Sequence, residues 1–154
     1  MKKTIYSFFF LVLAWAIVGC PSSGKIRKKM PRLFTINFVM ETGAEPSFMI
    51  SEDFNRDGEI DLVVTNSGDN TLSYFKGKGD GTFKSQIIIN TGEDPICVVT
   101  SDFNNNGYLD LAVLNYRDQT INIYFNSRFG NFKKTAITLR PGKIPINMVS
   151  GDFN

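Results

Sequence analysis

The sequence predicts an all-β chain, a partial β-propeller of four-stranded antiparallel blades with two complete blades plus flanking strands. Three observations carry that expectation. First, the chain repeats with a period near 49: Phe34, Phe83 and Phe132 are each 49 residues apart, and Pro46, Pro95, Pro145 and Asp53, Asp102, Asp152 keep nearly the same step. Second, the apolar runs inside each period are short, rich in β-branched and aromatic residues, and divided by turn formers, which is the pattern of strands rather than helices. Third, each period holds about four such runs, the number of strands in a propeller blade. A β-solenoid is the runner-up, but its rungs have much shorter periods.

The first 19 residues read as an export leader, not as part of the fold. Lys2 and Lys3 form a basic start, and Ile5 to Val18 is a largely apolar run of 14 residues. A membrane span needs about 20 residues, so this length fits a secretory segment. Ile17-Val18-Gly19-Cys20 follows, and it resembles the lipobox of bacterial lipoproteins. That resemblance implies cleavage before Cys20, lipid on its sulfur, and an exported chain anchored to the cell envelope. Residues 20–33 form a flexible tether: Pro21-Ser22-Ser23-Gly24 cannot pack, and Lys25-Ile26-Arg27-Lys28-Lys29 with Arg32 is basic and free of acids. Such a cluster beside an acyl anchor can rest on anionic headgroups.

Of the 17 basic residues, two leave with the leader, so 15 remain against 15 acids. Balanced charge gives no footing for non-specific nucleic-acid binding. Cys97 stands in the apolar run Pro95-Ile96-Cys97-Val98-Val99. With Cys20 lipidated it has no partner for a disulfide, and it reads as a buried, inert thiol.

The repeat region spans residues 34–154. Residues 34–41 read as a lone outer strand. The first blade, 44–90, has strands Ser47 to Ser51, Ile60 to Asn66, Thr71 to Lys76 and Lys84 to Asn90, with hairpins at Ser67-Gly68-Asp69-Asn70 and Gly79-Asp80-Gly81. The second, 93–140, has Ile96 to Thr100, Leu109 to Asn115, Thr120 to Phe125 and Lys133 to Leu139. Tyr74-Phe75 is matched to Tyr124-Phe125 by a one-residue insertion, cancelled before Phe132. A third blade starts at 145. Two blades cannot close a ring that takes roughly four to eight. The expectation is therefore the N-terminal part of a longer propeller, with closure by several chains as the alternative.

After its first strand each blade carries a nine-residue loop. Asp53-Phe54-Asn55-Arg56-Asp57-Gly58-Glu59-Ile60-Asp61 is followed by Asp102-Phe103-Asn104-Asn105-Asn106-Gly107-Tyr108-Leu109-Asp110. Oxygen-bearing side chains stand at positions 1, 3, 5 and 9, glycine at 6, and the residue at 7 can turn its carbonyl inward. Calcium takes six to eight oxygens at about 2.3–2.6 Å, and a loop curling round one point offers it alternate residues. An EF-hand is excluded, because its position-12 acid is replaced by Val64 and Val113. A hairpin of Asx turns with no metal is the plain alternative. The first loop supplies three carboxylates and the second two, since Asn106 replaces the acid at position 5; fewer charges predict weaker binding there.

These loops, with Leu62-Val63-Val64, Gly79-Asp80-Gly81-Thr82-Phe83 and Arg128-Phe129-Gly130-Asn131-Phe132, resemble the FG-GAP (VCBS) repeats of integrin-α-type β-propellers. The resemblance implies a calcium loop between the first two strands of each blade. Its ligands would be Asp53, Asn55, Asp57, Asp61 and the Glu59 carbonyl, then Asp102, Asn104, Asn106, Asp110 and the Tyr108 carbonyl. It also implies a surface module that binds protein or carbohydrate. The alternative is part of a larger propeller enzyme acting on polysaccharide. No histidine exists for a triad or zinc site, the clustered acids are assigned to metal, and Glu41, Glu45, Glu93 and Asp94 lie in loops near the blade starts, where they could line one face of the ring without forming a recognisable catalytic pair. A non-enzymatic module is therefore expected.

Overall fold

A computed structural model describes residues 39–151, so the leader, Cys20, the tether, residues 34–38 and the final Asp152-Phe153-Asn154 lie outside the described residues. Eight strands form: β1 Pro46–Glu52, β2 Asp61–Asn66, β3 Thr71–Phe75, β4 Ile87–Asn90, β5 Pro95–Ser101, β6 Asp110–Asn115, β7 Thr120–Asn126 and β8 Phe132–Leu139. They make two four-stranded sheets in the orders β1-β2-β3-β4 and β5-β6-β7-β8, and every pairing is antiparallel. The expected all-β fold is present as two blades, and seven of the eight strands begin and end within about two residues of where the apolar runs placed them.

The eighth, β4, is shorter than expected. Its predicted start at Lys84 is replaced by a single bridge between Gly77 and Phe83 before the strand resumes at Ile87. Of the lone strand expected over 34–41, only the end is described, with a bridge at Glu41. Residues 145–151 form no strand, although they take the place of a third inner strand. Ser150 Oγ donates to the Thr100 carbonyl at 2.9 Å and Cys97 Sγ approaches Asn147 Oδ1 at 3.4 Å. The first strands of the two blades also touch, where Ser47 Oγ on β1 donates to the Pro95 carbonyl on β5 at 2.7 Å.

The register corrects the alignment of the repeats. Leu62 faces Phe75 and Leu111 faces Tyr124, so Tyr124 occupies the place of Phe75, not of Tyr74, and there is no insertion between them. The extra residue lies in β8. From Gly77↔Phe83 to Ser73↔Ile88 the inner strand advances four residues and the outer five. From Asn126↔Phe132 to Asn122↔Thr138 the counts are four and six. The bulge absorbs it where Ile137 N donates to Thr135 Oγ1 at 3.0 Å, and bulges of this kind keep a strand paired at the cost of a local bend.

Strand side chains alternate between faces, and the two faces that meet form the core. Val63, Leu72 and Tyr74 from the first sheet, with Phe54 from its loop, pack against Val98, Leu111, Val113 and Tyr124 from the second. Each such burial contributes about 1.5–3 kcal/mol, an upper figure given a compact unfolded chain. Phe54, Tyr74 and Phe132 stack edge to face, with centroids 5.3–6.1 Å apart. The sheets are stitched by buried amides: Asn66 Nδ2 donates to Thr71 Oγ1 and Ser73 Oγ, and Asn115 Nδ2 to Thr120 Oγ1 and Asn122 Oδ1. Cys97 is a free, buried thiol, and burial pushes its pKa up, which makes it a poor nucleophile.

Candidate metal loops

The loop between β1 and β2 curls because its acids bond to its own backbone. Asp53 Oδ1 accepts from Asp57 N at 3.2 Å and Oδ2 from Gly58 N at 2.9 Å. Asn55 Oδ1 accepts from Asp57 N at 2.8 Å, and Asp57 Oδ1 from Glu59 N at 3.0 Å. The loop between β5 and β6 repeats this bond for bond. Asp102 takes Asn106 N and Gly107 N, Asn104 Oδ1 takes Asn106 N at 3.0 Å, and Asn106 Oδ1 takes Tyr108 N at 2.8 Å. Gly58 and Gly107 sit at φ 88° and 86°, a left-handed bend in which a Cβ is strained. Arg56 and Asn105, at φ 59° and 57°, complete the curl.

The acid at position 9 closes each loop from below. Asp61 is fully buried; its Oδ1 accepts from Gly77 N at 2.8 Å and its Oδ2 from the Tyr74 hydroxyl at 2.7 Å. Asn55 Nδ2 reaches the same carboxylate at 3.5 Å. Burial and the Asp61 carboxylate together push the Tyr74 phenol far above its ordinary pKa, so it remains a donor at any physiological pH. Asp110, equally buried, accepts from Asn126 N at 2.7 Å and Phe103 N at 3.0 Å. Burial raises its pKa, the Asn126 and Phe103 N–H groups partly offset that, and the Asp102 charge adds to the rise.

Hydrogen bonds thus tie the side chains at positions 1, 3 and 5 of each loop to its own backbone, and the position-9 carboxylate bonds to position 3 in the first loop and to position 2 in the second. All the side-chain donors are oxygens, the chemistry of a hard cation. Among the described residues, no three acidic, histidine or cysteine side chains converge to hold a metal by themselves. A cation here would therefore take amide and carbonyl oxygens as well, which is the mixed set that the loop offers. The residues fit calcium on that count.

Two groups that the sequence did not single out join the loops. Arg56 donates to the Gly107 carbonyl and lies over the Tyr108 ring, 4.7 Å from its centroid. Asn126, on β7, donates from Nδ2 to the Phe54 and Leu109 carbonyls at 2.8 and 3.1 Å.

A family model for the FG-GAP-like repeat matches residues 53–113 and again 102–154. The chain belongs to the FG-GAP-like repeat family. Both matches begin on the first aspartate of an acidic loop, so each match opens with the geometry just described. Searches among curated proteins and among solved structures found no match.

At the opposite end of the FG-GAP blades, Glu45, Asn70, Glu93, Asp94 and Arg117 line an open cleft of about 390 Å³. This brings together three of the four acids that the sequence places near the blade starts. Asp94 N donates to Asn70 Oδ1 at 2.8 Å across the blade junction.

Proposed function

We propose that this chain, whose FG-GAP repeats suggest a β-propeller-like module of the kind often used in binding and adhesion, is a calcium-binding, lipid-anchored envelope protein whose blades present a binding surface to protein or carbohydrate. The observation that carries the calcium reading is the bond-for-bond repetition of two acidic loops, each curled by its own backbone N–H groups around an all-oxygen donor set. Asp53, Asn55, Asp57, Asp61 and the Glu59 carbonyl would hold the first ion. Asp102, Asn104, Asn106, Asp110 and the Tyr108 carbonyl would hold the second. The ion neutralises clustered carboxylates and fixes the loop, so part of its binding free energy is folding free energy. Its role is structural.

The anchor reading rests on Cys20 after Ile17-Val18-Gly19 and places the chain on the bacterial envelope after export. The polar cleft beside Arg117 suits a ligand carrying hydroxyl or charged groups. A chain with no histidine, and with its clustered acids committed to loop geometry, is read as non-enzymatic. Two experiments test the proposal. Calorimetric titration is expected to find two calcium sites, and no calcium uptake would refute the metal reading. Cys20→Ser is expected to move the protein from the membrane to the soluble exported fraction; unchanged membrane association would refute the anchor.

A further inference from the structure

We propose that the two acidic loops form one coupled unit, in which calcium at either loop raises the affinity of the other through Arg56 and Asn126. The inference rests on the calcium reading above. Its basis is a pair of cross-loop contacts that the repeat itself does not supply.

Arg56 is the fourth residue of the first loop, exposed and left-handed. Its guanidinium donates to the Gly107 carbonyl and covers the Tyr108 ring. Gly107 makes the bend of the second loop, and Tyr108 carries the carbonyl assigned as its ligand. Holding that peptide unit and that ring holds the ligand carbonyl in place.

Asn126 makes the second tie from within. It is wholly buried, and its side-chain amide joins the Phe54 carbonyl, position 2 of the first loop, to the Leu109 carbonyl, position 8 of the second. Its backbone N–H holds Asp110 Oδ1 at 2.7 Å, and its carbonyl accepts from Asn106 Nδ2 at 3.1 Å. One residue therefore touches the first loop and three positions of the second, two of them ligands.

Neither tie follows from the repeat. The residue 49 places before Asn126 is Gly77, which has no side chain, and the residue 49 places after Arg56 is Asn105. The coupling belongs to this junction.

The sign follows from ordering. A cation that fixes the first loop also fixes Arg56 and the Phe54 carbonyl, and through them part of the second loop. Less freedom is then left to lose when the second ion binds, which is positive cooperativity. Repulsion between two divalent ions opposes this and is screened by salt. Linkage makes the effect reciprocal, with couplings of this kind typically worth about 5- to 150-fold in affinity.

The test uses the full chain in neutral detergent, with calcium as the probe and calorimetry as the readout. Asp53→Ala silences the first loop, and the calcium affinity of the second is expected to fall about fivefold or more. In an Arg56→Gln, Asn126→Ala background the same Asp53→Ala change is expected to leave the second loop unaltered. Asn126 is buried and its truncation can loosen the fold, so exposed Arg56→Gln alone provides a second arm, in which the fall is expected to shrink. A second loop that binds equally well with and without Asp53 overturns the coupling. So does a fall that persists undiminished in Arg56→Gln. A wild-type chain that takes up no calcium overturns the metal reading itself, and that outcome is visible before any substitution is made.

Discussion

The two acidic loops share a backbone and differ in what surrounds them. In the first, Phe54 is fully buried between the sheets, whereas its counterpart Phe103 is 40% exposed. Beneath the first, a tyrosine hydroxyl donates to Asp61; beneath the second, Asp110 relies on two backbone N–H groups. The first carries Asp57 where the second carries Asn106. The comparison separates two jobs that one motif performs. The curl is local, set by Asx bonds and a glycine, and so is identical in both. The packing of position 2 is tertiary, and it depends on a neighbouring sheet that the first loop has in the second blade.

The largest contrast is therefore in stability. Phe54→Ala is expected to cost about 3–5 kcal/mol, the usual figure for removing a buried aromatic ring. Phe103→Ala is expected to cost less than about 1 kcal/mol, since a partly exposed side chain loses little. Denaturant unfolding of the two variants checks this, and equal losses would erase the distinction between the loops. Next comes charge. Asp53→Ala removes a carboxylate and is expected to weaken the first loop at least tenfold, about 1.4 kcal/mol. Asn106→Ala removes a neutral amide and is expected to do less to the second. Calcium titration of both decides it, and the reverse order would defeat the charge-count argument.

The smallest expected effect is in pH. Burial holds the Asp110 carboxyl above the usual aspartate range, which lies near 3.9. For the metal-free protein, a raised carboxyl pKa contributes stability when protonated, at acid pH, and that contribution is lost as pH rises through the folded value. Calcium requires the carboxylate, so protons compete with it. Uptake by the second loop is expected to weaken as pH falls, beginning above the usual aspartate value. Asp110→Asn is expected to flatten that dependence, and an unchanged profile would exclude Asp110 as its source.

Most of the fold was legible because its signals are local. Alternation of apolar residues and turn formers such as Ser67-Gly68-Asp69-Asn70 marked most strand ends, and the acidic loops announced their own curl. The misplaced insertion shows where pattern fails. Tyr74-Phe75 and Tyr124-Phe125 look alike as letters, but Tyr74 and Tyr124 lie on opposite faces of their sheets, because the register pairs Val63 with Tyr74 and Leu111 with Tyr124. A period-2 structure makes a one-residue slip a change of face. The extra residue sits instead in an outer strand, where a bulge accommodates it. The loop-to-loop ties were hidden for a different reason. Asn126 meets the Phe54 carbonyl across 72 residues and Arg56 meets Gly107 across 51, and nothing local constrains such contacts. The only trace of them in the sequence is that Arg56 and Asn126 break the repeat, standing opposite Asn105 and Gly77.

The most direct measurement is thermal unfolding of the full chain with calcium and with a chelator. Because an ion that binds only the folded state stabilises it by about 2.7 kcal/mol per site at a hundredfold excess over Kd, calcium is expected to raise the melting temperature and EDTA to return it to the metal-free value. Melting curves that superimpose with and without calcium would contradict the account.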